Sequence, residues 1–184
     1  FRFAYPSAMR ASVTSAPPES GIKLRLDNPA QLGAELLCGA VAALAECSGP
    51  LVVISRRHRY LHDGSQCQAG ACGGVILPGP QLSLSALVQK TAQLPQIDLS
   101  APASSSILGK NTSACLQNGF VLGTAGLLDG VAERFQAELG PDIRFYATGN
   151  LPRTIREACR TPIEYREYLI TDGLYRIWQK NRKG

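Results

Sequence analysis

Leu51-Val52-Val53-Ile54 and Arg144-Phe145-Tyr146-Ala147-Thr148-Gly149 are the stretches on which the fold turns. The first is a short run without a polar residue, the pattern of a strand buried on both faces. The second reads as a strand that ends in a tight turn. Helical patterns lie between them, near 83–94 and over Thr112–Leu139. Another precedes them: Leu32, Leu36, Leu37, Ala40, Val41 and Leu44 recur at helical spacing through Ala45. Strands alternating with helices predict an α/β domain, a mixed sheet flanked by helices.

Further out, Ile22-Lys23-Leu24-Arg25-Leu26 alternates like a short strand, and Asn28-Pro29 reads as a helix cap followed by the first helical residue. Gly73-Gly74-Val75-Ile76-Leu77-Pro78-Gly79 reads as a strand bounded by glycines. A helix is expected to start at Asn150 or Thr154, and another to close the chain over 174–180. The long helix from Thr112 carries Gly119, Gly123, Gly126 and Gly130, which predicts close contact with other helices and a central place in the core. Residues 1–20, rich in Ser, Ala and Pro, read as a linker or the remnant of a preceding element, with the domain proper at 21–184. The block 55–72 is basic, contains Cys and Gln, and fits no pattern.

At 184 residues, 45% hydrophobic, the chain has the size and composition of one globular domain. No apolar run approaches the roughly 20 residues of a membrane span, and no apolar signal core is present, so a cytoplasmic location is expected. The net charge of +5 is modest and partly concentrated at Arg56–Arg59 and at the C-terminal tail. Six cysteines lack the paired spacing of a zinc site and read as free thiols. His58 and His62 stand four residues apart, but no third ligand is evident, and a solvated loop accounts for them and for the neighbouring arginines. Neither a nucleic-acid partner nor a membrane is expected.

The order of the short motifs carries more than any one of them. Asn28-Pro29 and Gly33-Ala34-Glu35 are followed by Gly73-Gly74-Val75-Ile76-Leu77-Pro78-Gly79 and Leu94-Pro95. Gly109-Lys110-Asn111-Thr112, Ala147-Thr148-Gly149, Gly173-Leu174 and Asn181 come after them. From about Gly21 onward this series resembles the C-terminal lobe of the type III pantothenate kinases. The resemblance implies an actin-like, ribonuclease-H-like fold and ATP-dependent phosphorylation of pantothenate, in coenzyme A synthesis. It implies a homodimer that uses Mg2+ and a monovalent cation, K+ or NH4+. Such catalysis is largely positioning and charge stabilisation, with a carboxylate taking the proton of the attacking hydroxyl.

Carried over by position, the resemblance makes Gly33, Ala34, Glu35 and Leu36 substrate-binding, with Glu35 where the family has its catalytic Asp. Leu36 stands in place of a family Arg that helps hold the substrate. Thr112 matches the Thr that contacts pantothenate, and Thr148 and Gly149 fall in the nucleotide region. As residue chemistry alone, Glu35 is also an ordinary first-turn helix acid and Thr112 a helix N-cap.

Two family features are missing. No Asp-x-Gly-Asn-Thr hairpin occurs, and the second phosphate motif, expected after Ile54, is replaced by Ser55-Arg56-Arg57-His58-Arg59. Bulky cations stand where glycine would let backbone approach phosphate. With permissible codons, Ser55–Gln68 read one base later gives His-Gly-Ala-Thr-Ala-Thr-Phe-Met-Thr-Val-Leu-Asn-Ala, close to the missing motif. Out-of-frame translation, restored shortly before Gly73, is therefore expected for this segment; a source DNA whose alternate frame encodes no such motif would end the idea. The chain reads as a truncated, catalytically impaired kinase lobe. A non-catalytic dimeric binding or regulatory protein, like a transcriptional accessory factor, is the alternative. The long apolar helix, lacking a partner lobe, predicts self-association.

Overall fold

A computed structural model describes residues 20–47, 49–55, 60–63, 70–71, 73–91, 94–103 and 106–182. In chain order the strands are β1 (Lys23–Leu24), β2 (Leu51–Ile54), β3 (Tyr60–Asp63), β4 (Gly70–Ala71), β5 (Arg144–Ala147) and β6 (Ile163–Tyr165). The helices are α1 (Ala34–Glu46), α2 (Pro80–Lys90), α3 (Thr112–Leu139), α4 (Arg153–Ala158) and α5 (Leu169–Asn181), with a 3-10 turn at Pro29–Gln31. The strands form one sheet in the order β1-β4-β3-β2-β5-β6. β2, β5 and β6 run parallel, β3 is antiparallel to both β2 and β4, and β1 is parallel to β4.

The sheet is mixed and flanked by helices, and β2 shows why its sequence has no polar residue. Val52 and Ile54 pack with Phe145 and Ala147 under Val121, Ala125 and Leu128 of α3 and Ile155 of α4. Leu51, Val53 and Tyr146 take the opposite face, against Ala42 and Ala43 of α1 and Leu169 of α5. All of β2 is buried, because alternate side chains meet a helical layer on either side.

On the second face α1 and α5 pack closely. A Cβ at Gly173 would collide with the carbonyl oxygen of Cys38, and one at Gly39 would lie 3.1 Å from Val53 Cγ1. On the first face, the buried Asp129 of α3 fixes the chain entering β6. It accepts hydrogen bonds from the backbone N–H of Arg160 (3.0 Å) and of Thr161 (2.9 Å).

Several expectations need correcting. The helix expected near 83–94 spans Pro80–Lys90, with Gly79 as N-cap and Pro80 in the first turn, where its missing N–H costs nothing. The last helix starts at Leu169, earlier than expected, because Leu169 and Gly173 are both buried against the sheet side. The Gly73–Gly79 stretch is no strand; Val75 and Ile76 are 37% and 70% exposed and border a cleft. The block 55–72 is not patternless throughout, since β3 pairs antiparallel with β2 and β4 pairs with β3. Its remaining residues after Ser55, including His58 and the arginines, lie outside the described residues apart from the strand backbone.

The glycines of α3 also differ from expectation. The helix is central, through Val121, Ala125, Leu128 and Ala132. Yet a Cβ at Gly119, Gly123 or Gly126 would meet nothing within 4 Å among the described residues. These glycines are exposed, on the side of α3 that carries Leu127 (41% exposed), and make no helix contact among the described residues.

Candidate functional site

The site is built on the turn that leads into α1. Asn28 Oδ1 accepts from the Ala30 N–H (3.2 Å), and Pro29 enters the 3-10 turn with its φ already fixed. The Leu32 N–H then donates to the Pro29 carbonyl (3.1 Å). Gly33 follows as N-cap of α1 in extended conformation, with no side-chain cap, and its carbonyl accepts from the N–H of Leu36 (3.0 Å) and Leu37 (3.2 Å). Glu35 supplies the negative charge that the first turn of a helix favours.

A cleft of about 260 Å³ opens between this turn and the Gly73–Ile76 segment. Leu26, Leu32 and Leu36 line one wall, and Gly73, Gly74, Val75 and Ile76 the other. Asp27, Asn28 and Gln31 supply the polar groups. Leu36 is 6% exposed and contributes an apolar surface. Glu35 is exposed and is not among the residues lining the cleft. Burial and, second, the charge of Glu35 push the Cys38 thiol up to about 11, so this cysteine is held as the unreactive thiol.

Thr112 opens α3 and is exposed, but the N-cap is Asn111, whose Oδ1 accepts from the Ala114 N–H at 2.8 Å. Capping therefore explains Asn111 and leaves Thr112 for other contacts. The loop before it is held from inside the helix. Asn118, 1% exposed, donates to the carbonyls of Ser106 (2.8 Å) and Ile107 (3.3 Å). Gly109 lies so close to the backbone of Ala114 and Cys115 that a Cβ would not fit. Sequence reasoning missed Asn118; a polar residue on the buried stripe of an amphipathic helix was its only signal.

Thr148 and Gly149 sit where β5 ends. The Thr148 N–H donates to the Ile54 carbonyl (3.0 Å), continuing the parallel ladder, and its hydroxyl lies 3.4 Å from the Glu167 carbonyl it donates to. Gly149 has φ +81°, a left-handed conformation suited to glycine, and its carbonyl accepts from the Tyr165 hydroxyl (2.8 Å). The structure brings Leu36, Asn28 and Gly73-Gly74 into one cleft. Thr112, Thr148 and Gly149 are not among its lining residues. Among the described residues, no group of three or more His, Cys, Asp or Glu could hold a metal ion. No helix among them is long and apolar enough to cross a membrane.

The sequence profile of the type III pantothenate kinase family matches residues 4–134. A type III pantothenate kinase of Solibacter usitatus is 36% identical over 161 residues, covering 88% of this chain and 61% of that protein. Relatives of the same name from Koribacter versatilis (34% identical, 89% of this chain, 59% of the relative) and Rhodospirillum centenum (38% identical, 88% and 62%) give the same picture. The chain belongs to the type III pantothenate kinase family. It spans about three fifths of the length of these relatives. A solved structure from Campylobacter jejuni, labelled with the Baf family of transcriptional activators, gives a TM-score of 0.48 at 21% identity, covering 86% of this chain and 70% of that one. A likeness of that size carries no functional weight.

Proposed function

We propose that this chain is the acceptor-binding lobe of a pantothenate kinase with an actin-like fold, and that pantothenate enters the cleft between the 26–36 turn and Gly73–Ile76. The whole protein would be a cytoplasmic homodimer that passes the terminal phosphoryl group of ATP to the pantothenate hydroxyl. The observation that carries this reading is the cleft itself. Two motifs far apart in sequence, the turn into α1 and the Gly73-Gly74 segment, form its two walls.

In this reading Leu36 borders the acceptor inside the cleft; Gly33, Ala34, Glu35 and Thr112 lie outside its lining, so the hydroxyl end of the acceptor would have to project from the cleft for Thr112 to contact it and Glu35 to take its proton. The carboxylate of Glu35 stands one methylene further out than that of an Asp, a displacement of about an ångström that costs on the order of 10²-fold in rate. Thr148 and Gly149 would border the nucleotide. ATP with Mg2+ and a monovalent cation supplies the phosphoryl group and charge neutralisation when bound. The residues present do not suit that group: buried Ser55 follows β2 where a cation-binding carboxylate is expected, and a hydroxyl cannot replace its charge. The relatives named above are kinases, and nothing favours the regulatory alternative.

Isothermal titration of the purified chain with pantothenate and with ATP–Mg2+ tests the proposal. Pantothenate is expected to bind and ATP not to. Thr112→Ala should weaken pantothenate several-fold with little change in melting temperature. Asn111→Ala should instead lower stability by about 1 kcal/mol through the lost cap. Absence of pantothenate binding would overturn the assignment of the cleft.

A further inference from the structure

The outer face of α5 has a chemistry that acceptor binding leaves unused. Tyr175 and Trp178 lie ring against ring, with centroids 5.9 Å apart and planes 25° from parallel. Tyr175 is 50% exposed, and its hydroxyl accepts from Gln179 Nε2 at 2.9 Å. The guanidinium carbon of Arg182 stands 5.0 Å from the centre of the Trp178 ring. An open cavity of about 690 Å³ runs along these side chains, with Arg176 and Lys180 beside them. Among the described residues none of the three cations has an acidic partner.

The start of the domain arrives at this face. A Cβ at Gly21, whose φ is +79°, would stand 2.8 Å from Lys180 Nζ. Ser20 fixes the turn there, its Oγ accepting from the Ile22 N–H at 3.2 Å. The described residues begin at Ser20, and the sequence just before it reads Pro17-Pro18-Glu19. At about 3.1 Å per residue, the three or four positions from Gly21 back to the prolines span roughly 9–12 Å. With a rise of about 1.5 Å per residue, Trp178 and Tyr175 lie only about 3 and 7.5 Å along α5 from Lys180. Both rings are therefore within reach. Proline lays a flat apolar ring on an aromatic face at small entropic cost, because its backbone is already restricted. Glu19 supplies the carboxylate that Arg176, Lys180 and Arg182 lack.

We propose that the outer face of α5 is the docking surface for the chain's own Pro17-Pro18-Glu19 segment. The prolines pack on Tyr175 and Trp178, Glu19 faces the cations, and the start of the domain is clasped to its last helix.

Trp178 is the one tryptophan of the chain, so its fluorescence reads the contact directly. In the full chain, Pro17→Ser/Pro18→Ser should move the Trp178 emission to longer wavelength. Acrylamide quenching should rise about twofold, as a ring covered on one face becomes open on both. Glu19→Lys should raise quenching too, and adding Lys180→Glu to it should recover most of the parent's protection. Pro6→Ser, well before the turn, should change neither reading. A proline variant quenched no more than the parent would overturn the proposal. Parent emission that shifts with protein concentration would also overturn it, by giving the face to a second copy of the chain.

Discussion

Gly173→Ala is expected to destabilise the chain by about 3 kcal/mol or more, the upper range for forcing extra volume into a packed contact. The added methyl group would overlap the main-chain oxygen and carbon of Cys38, and main chain cannot swing aside as a long side chain can. The contact joins α1 to α5, the layer that covers Leu51, Val53 and Tyr146. Pushing the helices apart would also disturb Leu169, which is 1% exposed. Gly123→Ala is the matching control. It lies in a helix interior with open space around it, so the change should stabilise by about 0.5–1 kcal/mol. Urea denaturation of the two variants reads opposite signs. A Gly173→Ala protein as stable as the parent would mean that α1 and α5 do not pack as described.

Asp129→Ala is expected to cost about 2–3 kcal/mol, because two backbone N–H groups lose a charged acceptor at a buried position. The ion pair with Arg160 adds little, since that side chain is 76% exposed and the Nε–Oδ2 separation is 3.4 Å. Burial by itself would raise the Asp129 carboxyl. The hydrogen bonds from the Arg160 and Thr161 main chain, helped by their side chains, together outweigh it and hold the group below the usual carboxylate value. A folded-state value below the unfolded one means the contribution is complete above the unfolded value, about 3.9. It is lost as pH falls through the lower, folded value. The parent should therefore lose stability below about pH 4 more steeply than Asp129→Ala. Parallel acid titrations of the two proteins would sink the assignment.

Some elements were legible to the residue. β2, α3 and the β5 strand announce themselves because their side chains are buried by layers that demand unbroken apolar runs or a long helical stripe. β6 was not legible: Ile163-Glu164-Tyr165 is half-buried at a sheet edge and is fixed by pairing with β5 and by Asp129 behind it. The Gly73–Gly79 stretch misled in the other direction, since Val75 and Ile76 have strand-like composition but border a cleft. At the candidate site, the resemblance singled out Leu36, which lines the cleft, while Gly73 and Gly74 stood only as members of the motif series and Asp27 and Gln31 carried no pattern. Their role is set by the turn around Asn28-Pro29, which a one-dimensional reading registers only as a helix start.

The glycines on the open side of α3 set its dynamics. A helix turn without side chains on one flank lets water reach its carbonyls, and its hydrogen bonds open at lower free energy than those facing a packed sheet. The amides around Gly119–Gly126 should thus exchange with solvent sooner than those near Leu128 and Ala132, although all belong to one continuous helix. The half of α3 that follows Thr112 is thus expected to be its softer half. Any ligand that touches Thr112 would be felt as slower exchange several turns along, with no change in the fold.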